Sequence, residues 1–278
     1  FGAGKLGKRL LHVYEDIRFE CFVDNFNRSQ ACCNLPVINF AELKKNYSDA
    51  LISIVSIKYC DEMMEQLLQA GFEKKNILNF GLEYRKMNQL QYFDLPTLEE
   101  SRKEVECFVD GGSYDGESTM SFVNWCKKAR GGIYVWEPDL DCIEKCKQLF
   151  EEKDIAVELI SKGLWSKEGT IKFKTGGRGG AISDCGDITI EVDCIDHSIK
   201  EPVTFIKLDV EGAEYQALLG AKQVISKYKP KLAICVYHKL EDIWELPGII
   251  YKMNPEYTFY LRHYSFAENE TVLYALPK

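Results

Sequence analysis

The chain has 278 residues, which at roughly 150 residues per domain points to two domains. Hydrophobic residues make up 46% and charged residues 28%, an ordinary globular balance, and no apolar run approaches the ~20 residues of a membrane span. The formal net charge is −8 with no block of Lys and Arg, which speaks against a sequence-independent grip on nucleic-acid phosphates and leaves room for a sugar or another neutral small molecule.

The N-terminus lacks a basic-then-apolar signal pattern. Gly2-Ala3-Gly4-Lys5-Leu6-Gly7 opens an amphipathic helix through Leu10, Leu11 and Tyr14. The strand expected before that turn is nearly absent, so the natural chain is expected to start earlier. Glu20 to Asp24 reads as a short strand ending in an acid, and Ala50 to Ser56 as a longer buried strand. Asp61 to Ala70 is a helix stopped by Gly71. Residues 1–83 therefore form a small Rossmann-like α/β domain. Residues 84–104, polar and helical in character, link it to a second domain over 105–278.

The second series begins with a strand at Cys107–Asp110. Further strands fall near Ile133–Glu137, Ala156–Ile160, Val203–Asp209 and Leu232–Tyr237. Helices fit at Ser118–Lys128, Asp139–Glu151, Ala213–Ser226 and Glu241–Met253. The unbroken apolar strands suit a parallel sheet covered on both faces. Tyr257–Leu261 and Thr271–Leu276 have no helix between them and should pair antiparallel. The fold class is α/β, a doubly wound seven-stranded sheet with a terminal antiparallel hairpin.

Eleven cysteines cannot all pair within one chain, and none forms a CxxC pair, so no zinc site is expected from local spacing. Cys107, Cys194 and Cys235 sit in apolar runs, as small hydrophobes do. Reduced thiols and a cytoplasmic location are expected.

Two glycine turns have spacings found in nucleotide sites; the first is read as a scaffold turn whose glycines serve the turn alone, the second as a cofactor loop. Gly2-x-Gly4-x-x-Gly7 with Asp24 has the spacing of a dinucleotide turn followed by a ribose-binding acid. The second turn runs through Asp110, Gly111, Gly112, Ser113, Tyr114, Asp115, Gly116, Glu117 and Ser118. Asp110 is placed to accept hydrogen bonds from a ligand ammonium group. Gly111 and Gly112 admit close approach of backbone to ligand, and the helix start at Glu117 and Ser118 offers donors to a carboxylate. Glu137, at the end of the next strand, suits the two vicinal hydroxyls of a ribose, and Pro138 suits the first turn of the following helix. Asp209 ends the fourth strand, followed by Glu211 and Glu214, which are also suited to a helix start. His238 ends the next strand and, with an ordinary pKa near 6.5, suits a general base, with Asp242 four residues on to orient it. His12, His197 and His263 read as structural. Gly176 to Gly180 is a glycine-rich loop able to close over an acceptor, with Arg178 touching an anionic group. No metal is assigned, although Asp209, Glu211 and His238 together could coordinate one.

The stretches FVDGGSYDGEST, VWEPD, KGLWS, FIKLDVEGAE and VYHKLEDIWELP together resemble the FkbM family of S-adenosylmethionine-dependent methyltransferases, from about Phe108 to the C-terminus. The resemblance implies S-adenosylmethionine as cofactor and S-adenosylhomocysteine as product. It also implies methylation of a hydroxyl oxygen on a sugar or polyketide-type acceptor, with Gly163, Leu164 and Trp165 beside the adenine. On it, His238 and Asp209 are the catalytic candidates, with Asp209 also facing the cofactor. Glu211, Arg178 and His238 face the acceptor. The first domain resembles a module found ahead of sugar-modifying enzymes, which favours a saccharide. Two other readings stand beside this one. The first is an NAD-dependent nucleotide-sugar oxidoreductase or epimerase built on the first glycine turn. The second is a non-catalytic, methyltransferase-like binding protein. A homo-oligomer is compatible with either domain.

Overall fold

A strand covered by helices on both faces must be apolar at nearly every position, and two central strands of the main sheet are buried throughout. In the computed structural model these are Phe205–Leu208 and Lys231–Cys235. The structure describes residues 1–14, 16–26, 29–127, 129–175, 180–182, 185–266 and 268–278. They divide into two units, Phe1–Gln89 and Leu90–Lys278. None of the eleven cysteines is in a disulfide. Among the described residues no helix is long and apolar enough to cross a membrane.

The first unit contains α1 (Lys5–Val13), β1 (Phe22–Val23), β2 (Ala31–Cys32), β3 (Leu35–Ile38), α2 (Phe40–Asn46), β4 (Ile52–Ile54), α3 (Cys60–Gln69), β5 (Ile77–Asn79) and most of α4 (Phe80–Leu90). β1 and β3 pair parallel, β2 joins β3 antiparallel, and β4 pairs parallel with β5. Phe1 and Gly2 stitch the two groups together. The Gly2 N–H donates to the Val23 carbonyl at 2.8 Å, and the Val55 N–H donates to the Phe1 carbonyl at 3.1 Å. The turn that follows depends on Gly7, where a Cβ would lie 2.2 Å from the Gly2 carbonyl oxygen. Asp24 accepts the N–H groups of Ala3 and Phe26, so it braces the glycine turn. α2, which the apolar pattern does not mark, opens with a capping box. The Asn39 side chain accepts the Glu42 N–H, and the Glu42 side chain accepts the Asn39 N–H.

The second unit contains α5 (Pro96–Glu100), β6 (Val105–Gly111), α6 (Glu117–Cys126), β7 (Ala129–Trp136), α7 (Leu140–Glu152), β8 (Glu158–Ile160), β9 (Gly163–Leu164), β10 (Gly169–Lys174), β11 (Ala181–Ile182), β12 (Ile188–Asp193), α8 (Ile195–Ser198), β13 (Phe205–Leu208), α9 (Glu214–Leu219), α10 (Lys222–Tyr228), β14 (Lys231–Cys235), α11 (Asp242–Met253), β15 (Tyr257–His263) and β16 (Thr271–Pro277). Seven strands form one sheet in the order β15-β16-β14-β13-β6-β7-β8. The five from β14 to β8 are parallel, and β16 is antiparallel to both β14 and β15. The expected sheet with its terminal hairpin is present. Strand order reverses between β6 and β13, so their carboxyl ends frame a switch point, where open α/β sheets bind ligands. One face of the sheet packs Val109, Trp136, Ile206, Leu232 and Ile234, and the other packs Phe108, Phe122, Phe205 and Tyr274.

Two expectations change. Residues 163–193 hold a second sheet, in the order β11-β10-β12-β9, that the apolar pattern does not resolve. The single helix expected over Ala213–Ser226 is two helices, α9 and α10. The chain turns at Gly220, where a Cβ would lie 2.1 Å from the Trp165 carbonyl oxygen.

A buried ion pair ties β14 to β6. Lys231 Nζ lies 2.8 Å from Glu106 Oε1, with side chains 1% and 0% exposed. Lys231→Met should cost about 3–5 kcal/mol by leaving a buried carboxylate without its cation. Urea unfolding monitored by circular dichroism checks this, and a loss below about 1 kcal/mol would contradict it.

Candidate active site

The order β14-β13-β6-β7 brings four sequence-marked groups to one edge: His238, Asp209, Asp110 and Glu137. Asp110 is fully buried. Its Oδ2 accepts the hydroxyls of Ser113 at 3.1 Å, Ser118 at 2.6 Å and Thr119 at 2.7 Å. Its Oδ1 lies 3.0 Å from Lys207 Nζ. The sequence aims Asp110 at a ligand ammonium group, but the structure turns it inward to organise the loop.

The glycines have a similar explanation. A Cβ on Gly111 would lie 2.6 Å from Leu164 Cδ1 and 2.8 Å from Leu208 Cδ2. On Gly112, at φ +74°, it would lie 1.9 Å from the Asp209 carbonyl oxygen. Close packing of the loop against Leu164, Leu208 and the Asp209 backbone leaves no room for a side chain at either glycine. Tyr114 and Gly116, at φ +58° and +87°, turn the chain into α6. Asp115 Oδ1 accepts the Glu117 N–H at 3.3 Å.

Lys207 has no part in the sequence reading, although a lysine inside an apolar strand is a visible signal. It is 2% exposed and donates to the carbonyls of Gly111 and Gly112 at 3.1 and 2.7 Å. Burial opposes its charge, but Asp110 and Asp209 outweigh burial and hold its pKa above the ordinary lysine value.

Glu137 is nearly buried, and burial raises its pKa against the pull of two backbone amides. Its Oε2 accepts the Tyr114 N–H and its Oε1 the Asp139 N–H, each at 2.9 Å. Each oxygen keeps further acceptor capacity. Asp139, not Pro138, caps α7, so Pro138 stands before the helix instead of in its first turn. Gly163 and Leu164 form β9 beside β12, and the Leu164 side chain belongs to the core. Trp165 donates its N–H to the Asp193 carbonyl at 2.8 Å.

Asp209 accepts hydroxyls from Tyr92 at 2.9 Å and Tyr237 at 3.1 Å. Burial works to raise its pKa, but Lys207 and His238 outweigh it and hold the carboxyl below the usual range. His238 Nε2 lies 3.5 Å from both Asp209 Oδ1 and Glu211 Oε2. Its Nδ1 lies 2.9 Å from Glu214 Oε1, which also accepts the Val210 N–H. Burial alone would lower the imidazole pKa, but Glu214, Asp209 and Glu211 lift it to about 9. The three carboxylates favour the charged ring, so its pKa stands above the ordinary value expected of a base. The expected orienting acid also changes. Asp242 accepts the Lys239 N–H at 2.9 Å, and Glu214 holds the ring. Burial lifts the Glu211 carboxyl to about 7, and its backbone sits at φ +52°. Arg178, with Gly176, Gly177 and Gly179, lies outside the described residues.

A profile of the Methyltransferase FkbM domain matches residues 110–266. The chain belongs to the FkbM methyltransferase family. The matched span of this FkbM domain includes Glu137, Asp209, Glu211, Glu214 and His238, and its cofactor is S-adenosylmethionine. The chain is similar to the crystal structure of Methyltransferase FkbM from Methylobacillus flagellatus KT. The match covers 99% of this chain and 88% of that one at 20% identity, with a TM-score of 0.59, and shows a shared fold. Similarity extends to an rRNA methylase from Streptococcus thermophilus, at 16% identity over 70% of this chain and 94% of that one, with a TM-score of 0.44. It also extends to Aeropyrum pernix fibrillarin with natively bound S-adenosyl-L-methionine, at 13% identity over 70% and 76%, with a TM-score of 0.40. Comparison with curated proteins finds no match.

His238 should titrate near pH 9 in NMR spectra, and Glu214→Gln should move that titration down. The unfolded value is about 6.5, so a raised folded pKa gives stabilisation that is full below about pH 6.5 and lost as the pH rises through 9. A His238 titration near 6.5 in the parent protein would contradict this assignment.

Proposed function

We propose that this FkbM domain transfers the methyl group of S-adenosylmethionine to a hydroxyl oxygen of a sugar or other small acceptor. The observation that carries the reading is the alignment of Glu137, the Asp110 loop and Asp209 on one sheet edge. The donor set fits the cofactor. Glu137 has capacity on both oxygens for vicinal ribose hydroxyls. Along this edge Asp110, Asp209, Glu211 and Glu214 outnumber the cations Lys207 and His238, which suits a sulfonium. The same excess favours a neutral acceptor over an anionic one.

When bound, the cofactor supplies a methyl group on a cationic sulfur. The acceptor lone pair forms the new O–C bond, and the C–S bonding pair returns to sulfur. The chain contributes alignment, which in the best intramolecular cases is worth roughly 7–11 kcal/mol. Asp209, fixed by Tyr92 and Tyr237, faces the reacting centre in this reading, and Glu211 faces the acceptor.

Titration calorimetry with S-adenosylhomocysteine tests the reading, with NAD as the comparison ligand. S-adenosylhomocysteine should bind and NAD should not. Glu137→Ala should weaken binding by about 1.5–3 kcal/mol, the range for hydrogen bonds to a charged group. Folded protein that binds no S-adenosylhomocysteine would overturn the proposal.

A further inference from the structure

We infer that Asp209, Glu211 and His238 form a site for one divalent cation, with Glu214 holding the histidine ring. The site's use in methyl transfer rests on the function proposed above, but its existence does not. The His238 side chain is 9% exposed, and its Nε2 has no hydrogen-bond partner. That nitrogen faces Asp209 Oδ1 and Glu211 Oε2, each at 3.5 Å. Ligands bound at roughly 2.1 Å to a common ion are separated by about 3.0–3.5 Å.

The other ring nitrogen completes the arrangement. Glu214 Oε1 is 2.9 Å from Nδ1, on a side chain that is fully buried. A carboxylate beside the far nitrogen would favour the tautomer that leaves Nε2 free to ligate once the ring gives up its second proton to the ion. Tyr92 and Tyr237 orient Asp209 in the same way. One imidazole with carboxylate oxygens suits a first-row ion such as Mn²⁺ or Zn²⁺. An acceptor hydroxyl bound to that ion would have a lowered pKa, and its proton would leave to water.

Mn²⁺ is the probe, because eleven cysteines could capture Zn²⁺. Chelator-stripped full chain is titrated by calorimetry and by loss of the free-Mn²⁺ EPR signal, with and without S-adenosylhomocysteine. One Mn²⁺ should bind per chain. His238→Ala should weaken it at least about 100-fold and Glu214→Gln about 10–100-fold. His197→Ala, in the exposed Glu168, Asp193 and His197 group, should leave Mn²⁺ affinity unchanged. If the buried variants fail to fold, Glu211→Gln, on a side chain 35% exposed, decides by losing affinity about tenfold or more. Folded parent protein without Mn²⁺ binding, or binding lost in His197→Ala, overturns the inference. Mn²⁺ binding without S-adenosylhomocysteine binding would keep the metal site and sink the methyl-transfer reading. The reverse result would keep that reading and sink the site.

Discussion

Lys207 and Asp110 meet inside the sheet, where neither charge has access to water. A buried ion is stable only when its partner and its remaining hydrogen bonds are in place. Asp110 therefore collects three hydroxyls, and Lys207 collects two carbonyls from the adjoining loop. The loop between β6 and α6 has little freedom once these bonds form. Asp209, two residues beyond Lys207, follows from the same placement.

The second constraint is the crowding of carboxylates around His238. Glu214 is buried and Glu211 is partly open, so their environments differ although both contact one ring. The result is an imidazole pushed to about 9 beside a carboxyl pushed to about 7. Divergent pKa values in one cluster mark groups held for chemistry or for a cation.

Much of this is legible in the sequence. The seven strands of the main sheet stand out as apolar runs, and the acids at their ends are evident from position. The short strands β9 and β11 have two residues each, too few for periodicity to register. Tyr92 lies in a segment that reads as a linker, 117 residues from the Asp209 it contacts. Asp242 looks suited to orient His238 because it is near in sequence, but it caps its own turn. Glu214 reaches the ring from the helix that follows the neighbouring strand, a relation that only the fold reveals.

The contact between Gly111, Gly112 and β13 makes two regions into one mechanical body. The glycine loop lies directly against β13 and the Asp209 backbone that follows it. A side chain added at Gly112 would meet the Asp209 backbone before any ligand. Harm at that glycine would therefore register as damage to the reacting centre, transmitted through the main chain without touching a bound molecule.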